Sequence, residues 1–144
     1  MNKTVAIAND HAGPALKALL IDEVKALGFT VLDLGTNSTD SVDYPDYGNA
    51  VAKALLDGRA QLGIAICGSG IGISIAANRH AGIRAALCHT GLAAELSRQH
   101  NDANILCLGA RLIGDAEAKE CVKRFLTTAF EGGGRHTKRV NKLG

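Results

Sequence analysis

The chain has 144 residues, of which 47% are hydrophobic and only 3% are aromatic, and its formal net charge is +2. That length is usual for one domain, and no apolar stretch is long enough to cross a membrane. Residues 135–144 hold Lys and Arg but no acid, so the rest of the chain is weakly acidic. This distribution excludes a nucleic-acid binder, which needs a broad basic face, and it fits a small anionic ligand.

In chain order, short apolar runs alternate with segments of helical spacing. The runs predict strands at 4–9, 29–35, 62–67, 83–88 and 104–110. The intervening segments predict helices at 14–28, 44–58, 71–82, 90–100 and 115–132, followed by a glycine break and a basic C-terminal tail at 135–144. Right-handed crossovers between such strands build a three-layer α/β/α sandwich around a five-stranded parallel sheet. No domain boundary is visible, so the sequence predicts a single domain over 1–144.

The cysteines divide into one unusual position and three ordinary ones. The first residues lack a signal-peptide pattern, so we expect a cytoplasmic protein whose cysteines are thiols. None of the four falls in a CxxC pair, which argues against a structural zinc site. Cys88, Cys107 and Cys121 lie inside apolar patterns and are expected to be small buried hydrophobes. Cys67 differs, because it directly precedes the glycine-rich run GSGIG.

Polar residues concentrate where the predicted strands end. Parallel sheets of this kind bind ligands beyond the carboxyl ends of their strands. The polar positions at these ends are 9–11, 35–36, 67–70, 88–89 and 109–111. Three kinds of site would place a cysteine before a glycine loop: a dinucleotide site, a cysteine phosphatase loop, or a site for proton transfer next to a carbonyl.

The first two kinds of site fit the residues poorly. The glycine run follows the third predicted strand rather than the first, and its third glycine comes one residue early for G-x-G-x-x-G. The acid that should meet a ribose about 20 residues later is missing, since the chain reads AALCHTG there. A phosphatase loop needs a phosphate-binding arginine about six residues after its cysteine, where this chain has Ile73.

Proton transfer agrees better with the loop. Backbone N–H groups of a glycine loop at a helix N-terminus stabilise an oxyanion, and the helix dipole favours a thiolate there. Such a thiolate acts as a base on a carbon-bound proton, which fits the enediolate of an aldose–ketose isomerisation. The loop alone supports equally a structural role, in which Cys67 fills the strand end and the glycines form a tight turn.

Other polar residues shift the balance towards chemistry. His100 and Asn101 end a predicted helix before the fifth strand, and Asp10 follows the first strand. Each has an ordinary alternative, because a histidine at a helix end is more often a cap and Asp10 would serve as the N-cap of the first helix. Three arginines are either solvated charges or a phosphate site: Arg111, Arg135 and Arg139.

Five segments resemble the B-type ribose-5-phosphate isomerases, a family that also contains galactose-6-phosphate and allose-6-phosphate isomerases. The segments are NDHAG, DYPDYG, CGSGIGISIAANRHAGIRAALC, SRQHNDANILCLGAR and GGRHTKRV. The resemblance implies a Rossmann-like α/β/α sandwich without a nucleotide, acting as a homodimer or a dimer of dimers. It also implies interconversion of D-ribose 5-phosphate and D-ribulose 5-phosphate, in the pentose phosphate pathway, with neither metal nor cofactor.

The resemblance further implies a role for each matching residue. Cys67 matches the base that moves a proton between C2 and C1, since Ile73 stands where some members have a glutamate base. Ser69 matches the hydroxyl that assists proton movement at the substrate oxygens, and His100, with Asp10 nearby, matches the residue that opens the sugar ring. The other matches are the oxyanion loop (Gly68, Gly70 and Gly72), the sugar contacts (Asp43, Tyr44 and Asn101) and the phosphate site (His11, Arg111, Arg135 and Arg139).

Active sites of this family form between two subunits, so His100 and Arg111 are expected to serve the Cys67 of the neighbouring subunit. Three alternatives remain open. In the first, the chain isomerises another aldose phosphate, such as allose 6-phosphate, galactose 6-phosphate or a tetrose phosphate. In the second, the chain is a non-catalytic partner subunit, and in the third Cys67 has a thiol-sensing role.

Overall fold

Five strands and six helices alternate along the chain in this computed structural model, which describes residues 3–144. The strands are β1 (Thr4–Asn9), β2 (Thr30–Asp33), β3 (Leu62–Cys67), β4 (Ala85–Leu87) and β5 (Ile105–Gly109). The helices are α1 (Pro14–Ala26), α2 (Tyr44–Leu56), α3 (Ile71–Asn78), α4 (Gly91–Asn101), α5 (Asp115–Thr127) and α6 (Gly134–Asn141). All strand pairs are parallel and the order is β2-β1-β3-β5-β4, which confirms the predicted α/β fold.

Helices cover both faces of the sheet, because successive strand residues point to opposite sides and both sides are apolar. In β1, Val5 and Ile7 join a buried cluster with residues of α1, α4 and α5. Ala6 and Ala8 join a second cluster with residues of α2 and α3. The strand β3 is buried along its whole length and alternates in the same way, so Cys67 faces the α2 and α3 side.

The C-terminal part of the secondary-structure prediction is wrong. The predicted helix 115–132 ends at Thr127, because Thr128 is extended with φ −105° and ψ 127°. The predicted basic tail is instead the helix α6, entered through Gly133, whose φ of +84° lies in the left-handed region. None of the residues of α6 is buried, and its main contact is with α4. No helix within residues 3–144 combines the length and the apolar character needed to span a membrane.

Candidate active site

An open cleft lies beyond the carboxyl ends of β1, β3 and β5 and has a volume of about 590 Å³. It sits where the strand order reverses, because β1 is followed by β2 on one side and has β3 on the other. Such a switch point is where open α/β sheets bind their ligands. The residues that line the cleft are Asp10, His11, Tyr44, Cys67, Gly68, Ser69, Ile71, Gly72, Arg111 and Leu112.

Cys67 ends β3 with its sulfur at the head of α3. Only 4% of the residue is exposed, and its Sγ accepts a hydrogen bond from Gly70 N–H at 3.1 Å. The Ser69 Oγ accepts a bond from Ile71 N–H at 3.2 Å, which closes the turn into the helix. The sulfur therefore faces a backbone donor and the N-terminal, positive end of the α3 dipole.

Two glycines of this loop are required by its geometry. Gly70 has a φ of +77°, and a Cβ there would lie 2.9 Å from the backbone carbon of Leu108. A Cβ on Gly72 would meet the ring of Tyr44 at 2.5 Å, so the tyrosine packs directly on the backbone of α3. The glycines therefore let β5 approach the loop from one side and Tyr44 from the other.

The two polar residues that follow β1 are fixed by backbone N–H groups. Asp10 is 5% exposed and its Oδ1 accepts a bond from Ala12 N–H at 2.9 Å. It is not the N-cap of α1, because that position belongs to Gly13. The His11 Nδ1 accepts a bond from Val42 N–H at 3.1 Å, which leaves its proton on Nε2. His11 therefore presents a donor, as an anionic ligand requires.

A buried lysine that sequence reasoning missed holds the segment after β2. Lys17 of α1 is 2% exposed, and its Nζ lies 3.2 Å from Asp33 Oδ1, 3.0 Å from Thr36 O and 2.7 Å from Asn37 Oδ1. Asn9 Nδ2 donates to the same Thr36 oxygen at 2.9 Å. In the sequence Lys17 resembled any solvated helix charge; only the sheet order, which places α1 beside β2, reveals its partners.

Arg111 corrects one expectation. We expected it to serve the Cys67 of a neighbouring subunit, but it lines the same cleft as Cys67 of its own chain. Its backbone N–H donates to Gly68 O at 3.0 Å, and its guanidinium lies against the Gly68 backbone. The cause is the pairing of β3 with β5, which puts Cys67 beside Gly109, two residues before Arg111.

The remaining residues at the front of α2 are more open. Asp43 is the N-cap of α2, makes no side-chain capping bond and is exposed. Tyr44 is the first residue of the helix and lines the cleft. The structure thus brings Tyr44 to the cleft, while Asp43 stands beside it in sequence and does not line it.

A second cavity, of about 310 Å³, holds the other candidate residues. It lies between α4 and α6 and is lined by His100, Asn101, His136, Arg139, Val140 and Leu143. The rings of His100 and His136 stack with their centroids 4.4 Å apart and their planes 6° from parallel. Arg135 is exposed and lines neither cavity. Within one chain, therefore, His100, Asn101 and Arg139 do not meet Cys67.

Sequence reasoning missed His136, because His100, on which its ring stacks, is distant along the chain. The pKa of His136 lies below the ordinary histidine value. The largest cause is desolvation of the ring, and the positive charges of His100 and Arg135 act in the same direction. Protonation of His136 is therefore less favourable than that of an ordinary histidine.

The other three cysteines are structural, as predicted. Cys88, Cys107 and Cys121 are free thiols and are buried. Burial raises the pKa of Cys88 and of Cys107, and it raises the pKa of Cys121 to about 12 with help from the charge of Glu117. These thiols stay protonated at neutral pH and are poor nucleophiles.

Comparison with known proteins identifies the family of this chain. Residues 5–143 match the family described as Ribose/Galactose Isomerase. The chain belongs to this isomerase family. Ribose-5-phosphate isomerase B of Escherichia coli is 45% identical over 141 residues, which cover 98% of this chain and 94% of that protein.

Solved structures of family members share the whole architecture. Ribose-5-phosphate isomerase B of Clostridium thermocellum is 49% identical and superposes with a TM-score of 0.95, covering 98% of this chain and 95% of that one. The type B ribose 5-phosphate isomerase of Trypanosoma brucei is 46% identical with a TM-score of 0.97, covering 99% and 97%. The family therefore assigns this chain to sugar phosphate isomerases of carbohydrate metabolism.

Proposed function

We propose that this chain interconverts D-ribose 5-phosphate and D-ribulose 5-phosphate through an enediolate, with Cys67 as the base. The observation that carries the proposal is the Cys67 sulfur, which lies in the cleft 3.1 Å from the Gly70 N–H. The names of the relatives from E. coli and C. thermocellum support ribose 5-phosphate as the substrate.

The chemical step is a proton transfer between two carbons. The Cys67 thiolate takes the proton from C2, the C–H electrons form the C1–C2 double bond, and the C1 oxygen becomes the enediolate anion. The Cys67 thiol then returns the proton to C1, while the Ser69 hydroxyl helps the C2 hydroxyl proton to move to the C1 oxygen, so that C2 becomes the ketone and C1 the alcohol. A positioned general base contributes about 10²–10⁴-fold to such a rate.

The loop supplies the electrostatic part of the proposed catalysis. The first N–H groups of a helix have no acceptor within it. In α3 the Ile71 N–H donates to Ser69 Oγ, whereas Gly72, the next residue of this first turn, lines the cleft. Gly68 lines the same surface before the helix begins. Backbone donors aimed at a developing oxyanion contribute about 10²–10³-fold each. No metal is needed in this scheme, because the charge is held by these N–H groups.

Two cleft residues fit the phosphate end of the substrate. His11 presents its Nε2–H, since Val42 N–H occupies the other ring nitrogen. Arg111 brings a permanent positive charge with a planar set of donors, which suits a phosphate. In this proposal Tyr44, which packs on Gly72 and lines the cleft, contacts the sugar.

Ring opening and the rest of the phosphate site come, in this proposal, from a second copy of the chain. His100, Asn101 and Arg139 lie in a cavity of their own, so one chain holds only half of the required set. The exposed apolar side chains of Ile71 and Leu112 line the cleft, and exposed Ile75 follows Ile71 by one turn of α3. A homodimer, alone or paired as a dimer of dimers, would bury these side chains and bring His100, Arg135 and Arg139 of one chain to the cleft of the other.

The direct test is turnover on a panel of four-, five- and six-carbon aldose phosphates, with and without a chelator. We expect the highest kcat/KM for ribose 5-phosphate, no effect of the chelator, and loss of turnover by at least about 10²-fold in Cys67→Ala. Cys121→Ala is the matched control, because it removes a buried thiol outside the cleft. Near-full turnover in Cys67→Ala would refute the assignment of the base.

Complementation tests the shared site. Cys67→Ala and His100→Ala chains are purified separately, mixed, unfolded and refolded together. Each variant alone has two defective sites, whereas a mixed dimer has one site with both groups intact. We expect about a quarter of the wild-type sites to recover after random reassociation. No recovery in a mixture that has formed mixed dimers would show that each site draws on one chain.

The same panel decides the substrate. A higher kcat/KM for allose 6-phosphate, galactose 6-phosphate or a tetrose phosphate keeps the Cys67 mechanism and changes the sugar. Absence of turnover on every sugar phosphate favours a partner subunit without its own activity. Peroxide treatment tests the thiol-sensing alternative. If Cys67 senses oxidants, peroxide lowers turnover and a thiol reductant restores it.

A further inference from the structure

Three potential metal ligands meet outside the cleft, beside α4 and α6. A ring nitrogen of His100, a ring nitrogen of His136 and a carboxylate oxygen of Glu131 all lie within 4.8 Å of one another. Glu131 and His136 have no part in the proposed reaction. We propose that these three side chains form an inhibitory site for a divalent transition metal of the zinc class.

Local structure holds the three groups together. The backbone N–H of Glu131 donates to Gln99 O at 3.0 Å, which fixes Glu131 next to the last turn of α4, where His100 lies. At the start of α6, Gly133 N–H donates to Thr137 Oγ1 at 2.6 Å, and His136 lies in the turn between them. The ligands therefore come from three segments that the fold ties to one place.

The donor set selects the class of metal. Two imidazoles and one carboxylate are the three protein ligands of many open zinc sites, with water in the fourth position. Imidazole binds zinc, copper and nickel well, whereas magnesium and calcium prefer oxygen ligands. The cluster thus suits a borderline cation and has too few oxygens for a hard one.

Binding requires a small rearrangement that the fold permits. Zinc bonds of about 2.0–2.2 Å place tetrahedral ligands roughly 3.4 Å apart, so the present atoms must approach by at most about 1.4 Å. The nearly parallel rings must also rotate until one nitrogen of each faces the ion. The helix α6 has no buried residue and follows a glycine run, so it can move by this amount. Arg135 and Arg139 repel a cation, which makes the site weaker than a structural zinc site and reversible.

The consequence for activity rests on the proposed function, in which His100 opens the sugar ring. A metal that takes the lone pair of a His100 nitrogen removes this acid–base group from the reaction. Substrate turnover would then fall without any contact between the metal and Cys67. A chelator would restore turnover by removing the ion.

Calorimetric titration of the intact chain with zinc chloride tests the site without any substrate. We expect about one zinc per chain, and Glu131→Gln and His136→Phe should each weaken binding by at least about tenfold. The phenyl ring keeps a flat group against His100, and His80→Phe is the matched control, since His80 pairs with Asn49 instead. Unchanged affinity in both variants, or binding that disappears only in Cys67→Ser, would overturn the proposal.

Inhibition is measured separately. Zinc should lower turnover of the wild-type protein and EDTA should restore it. Glu131→Gln should keep its basal turnover and require at least about tenfold more zinc for half inhibition. Equal zinc sensitivity of the two proteins would refute the inhibitory role. Failure of the proposed function is distinguishable, because it would abolish sugar phosphate turnover and leave the calorimetric titration unaffected.

Discussion

Replacing Lys17 by methionine tests whether a buried ammonium group holds the segment between β2 and α2. Methionine keeps most of the apolar stem and removes the charge together with three polar contacts, at 2.7 to 3.2 Å. Removing one partner of a fully buried ion pair costs about 3–5 kcal/mol. Here the cost is smaller, because Asp33 is 36% exposed and water replaces part of the lost interaction.

The expected loss follows from what each partner retains. Thr36 O keeps its bond from Asn9 Nδ2, and exposed Asn37 regains water. One charge-assisted interaction therefore remains unreplaced, worth about 2 kcal/mol. For a domain of this size, that is a fall in Tm of about 4–8 °C. Urea unfolding measures the free energy, and Lys25→Met, an exposed change in the same helix, is the matched control.

The same variant has a functional consequence. The segment fixed by Lys17 leads to Val42, whose N–H orients His11, and to Tyr44 in the cleft. We expect KM for ribose 5-phosphate to rise several-fold while kcat changes little. A loss of stability no larger than that of Lys25→Met would refute the buried-charge reasoning. If Lys17→Met is destabilised but keeps a normal KM, the segment held by Lys17 does not position His11 and Tyr44 for the substrate.

Two further predictions concern backbone geometry and alkaline stability. Gly70→Ala should lower the free energy of unfolding by at least about 2 kcal/mol, whereas Gly58→Ala, with a similar φ of +75° and open space, should lower it by only about 1 kcal/mol. Cys121 has a folded pKa of about 12, above its ordinary value of 9.0, so its stabilising effect is present below pH 9 and is lost as pH rises. Above pH 9, the free energy of unfolding of the wild-type protein should fall more steeply with pH than that of Cys121→Ala, by up to about 1.4 kcal/mol per pH unit. Equal pH slopes of the two proteins in urea unfolding would contradict this.

The fold was predictable because its hydrophobic periods are clear. Alternating apolar runs and helical segments gave all five strands, and the parallel sheet followed from the crossovers. The C-terminus was not predictable in the same way, because α6 buries none of its residues and leaves no apolar stripe to read. Its basic composition is typical of a solvated tail. The helix begins after Gly133, which has a left-handed φ and whose N–H donates to Thr137 Oγ1.

The site was predictable only in part, since strand-end positions reveal which residues gather but not what holds them. Cys67, Asp10 and His11 line the cleft, as the strand ends suggested. Strand order decided the rest: it brought Arg111 to the Cys67 of its own chain and buried Lys17 against the end of β2. Contacts of this kind depend on pairing between distant segments, which no local pattern encodes.

The hydrogen bonds of the loop explain why its glycines suit a single oxyanion better than a nucleotide. A pyrophosphate site needs several free N–H groups that converge on two phosphates. Here Gly70 N–H is directed at the Cys67 sulfur and Ile71 N–H at the Ser69 hydroxyl. The Arg111 guanidinium also lies against the Gly68 backbone, which narrows the space before the helix. The N–H of Gly72, in the first turn of α3, stays available at the cleft. In the proposed reaction Cys67 is the base beside this donor, which is the arrangement that proton transfer alpha to a carbonyl requires.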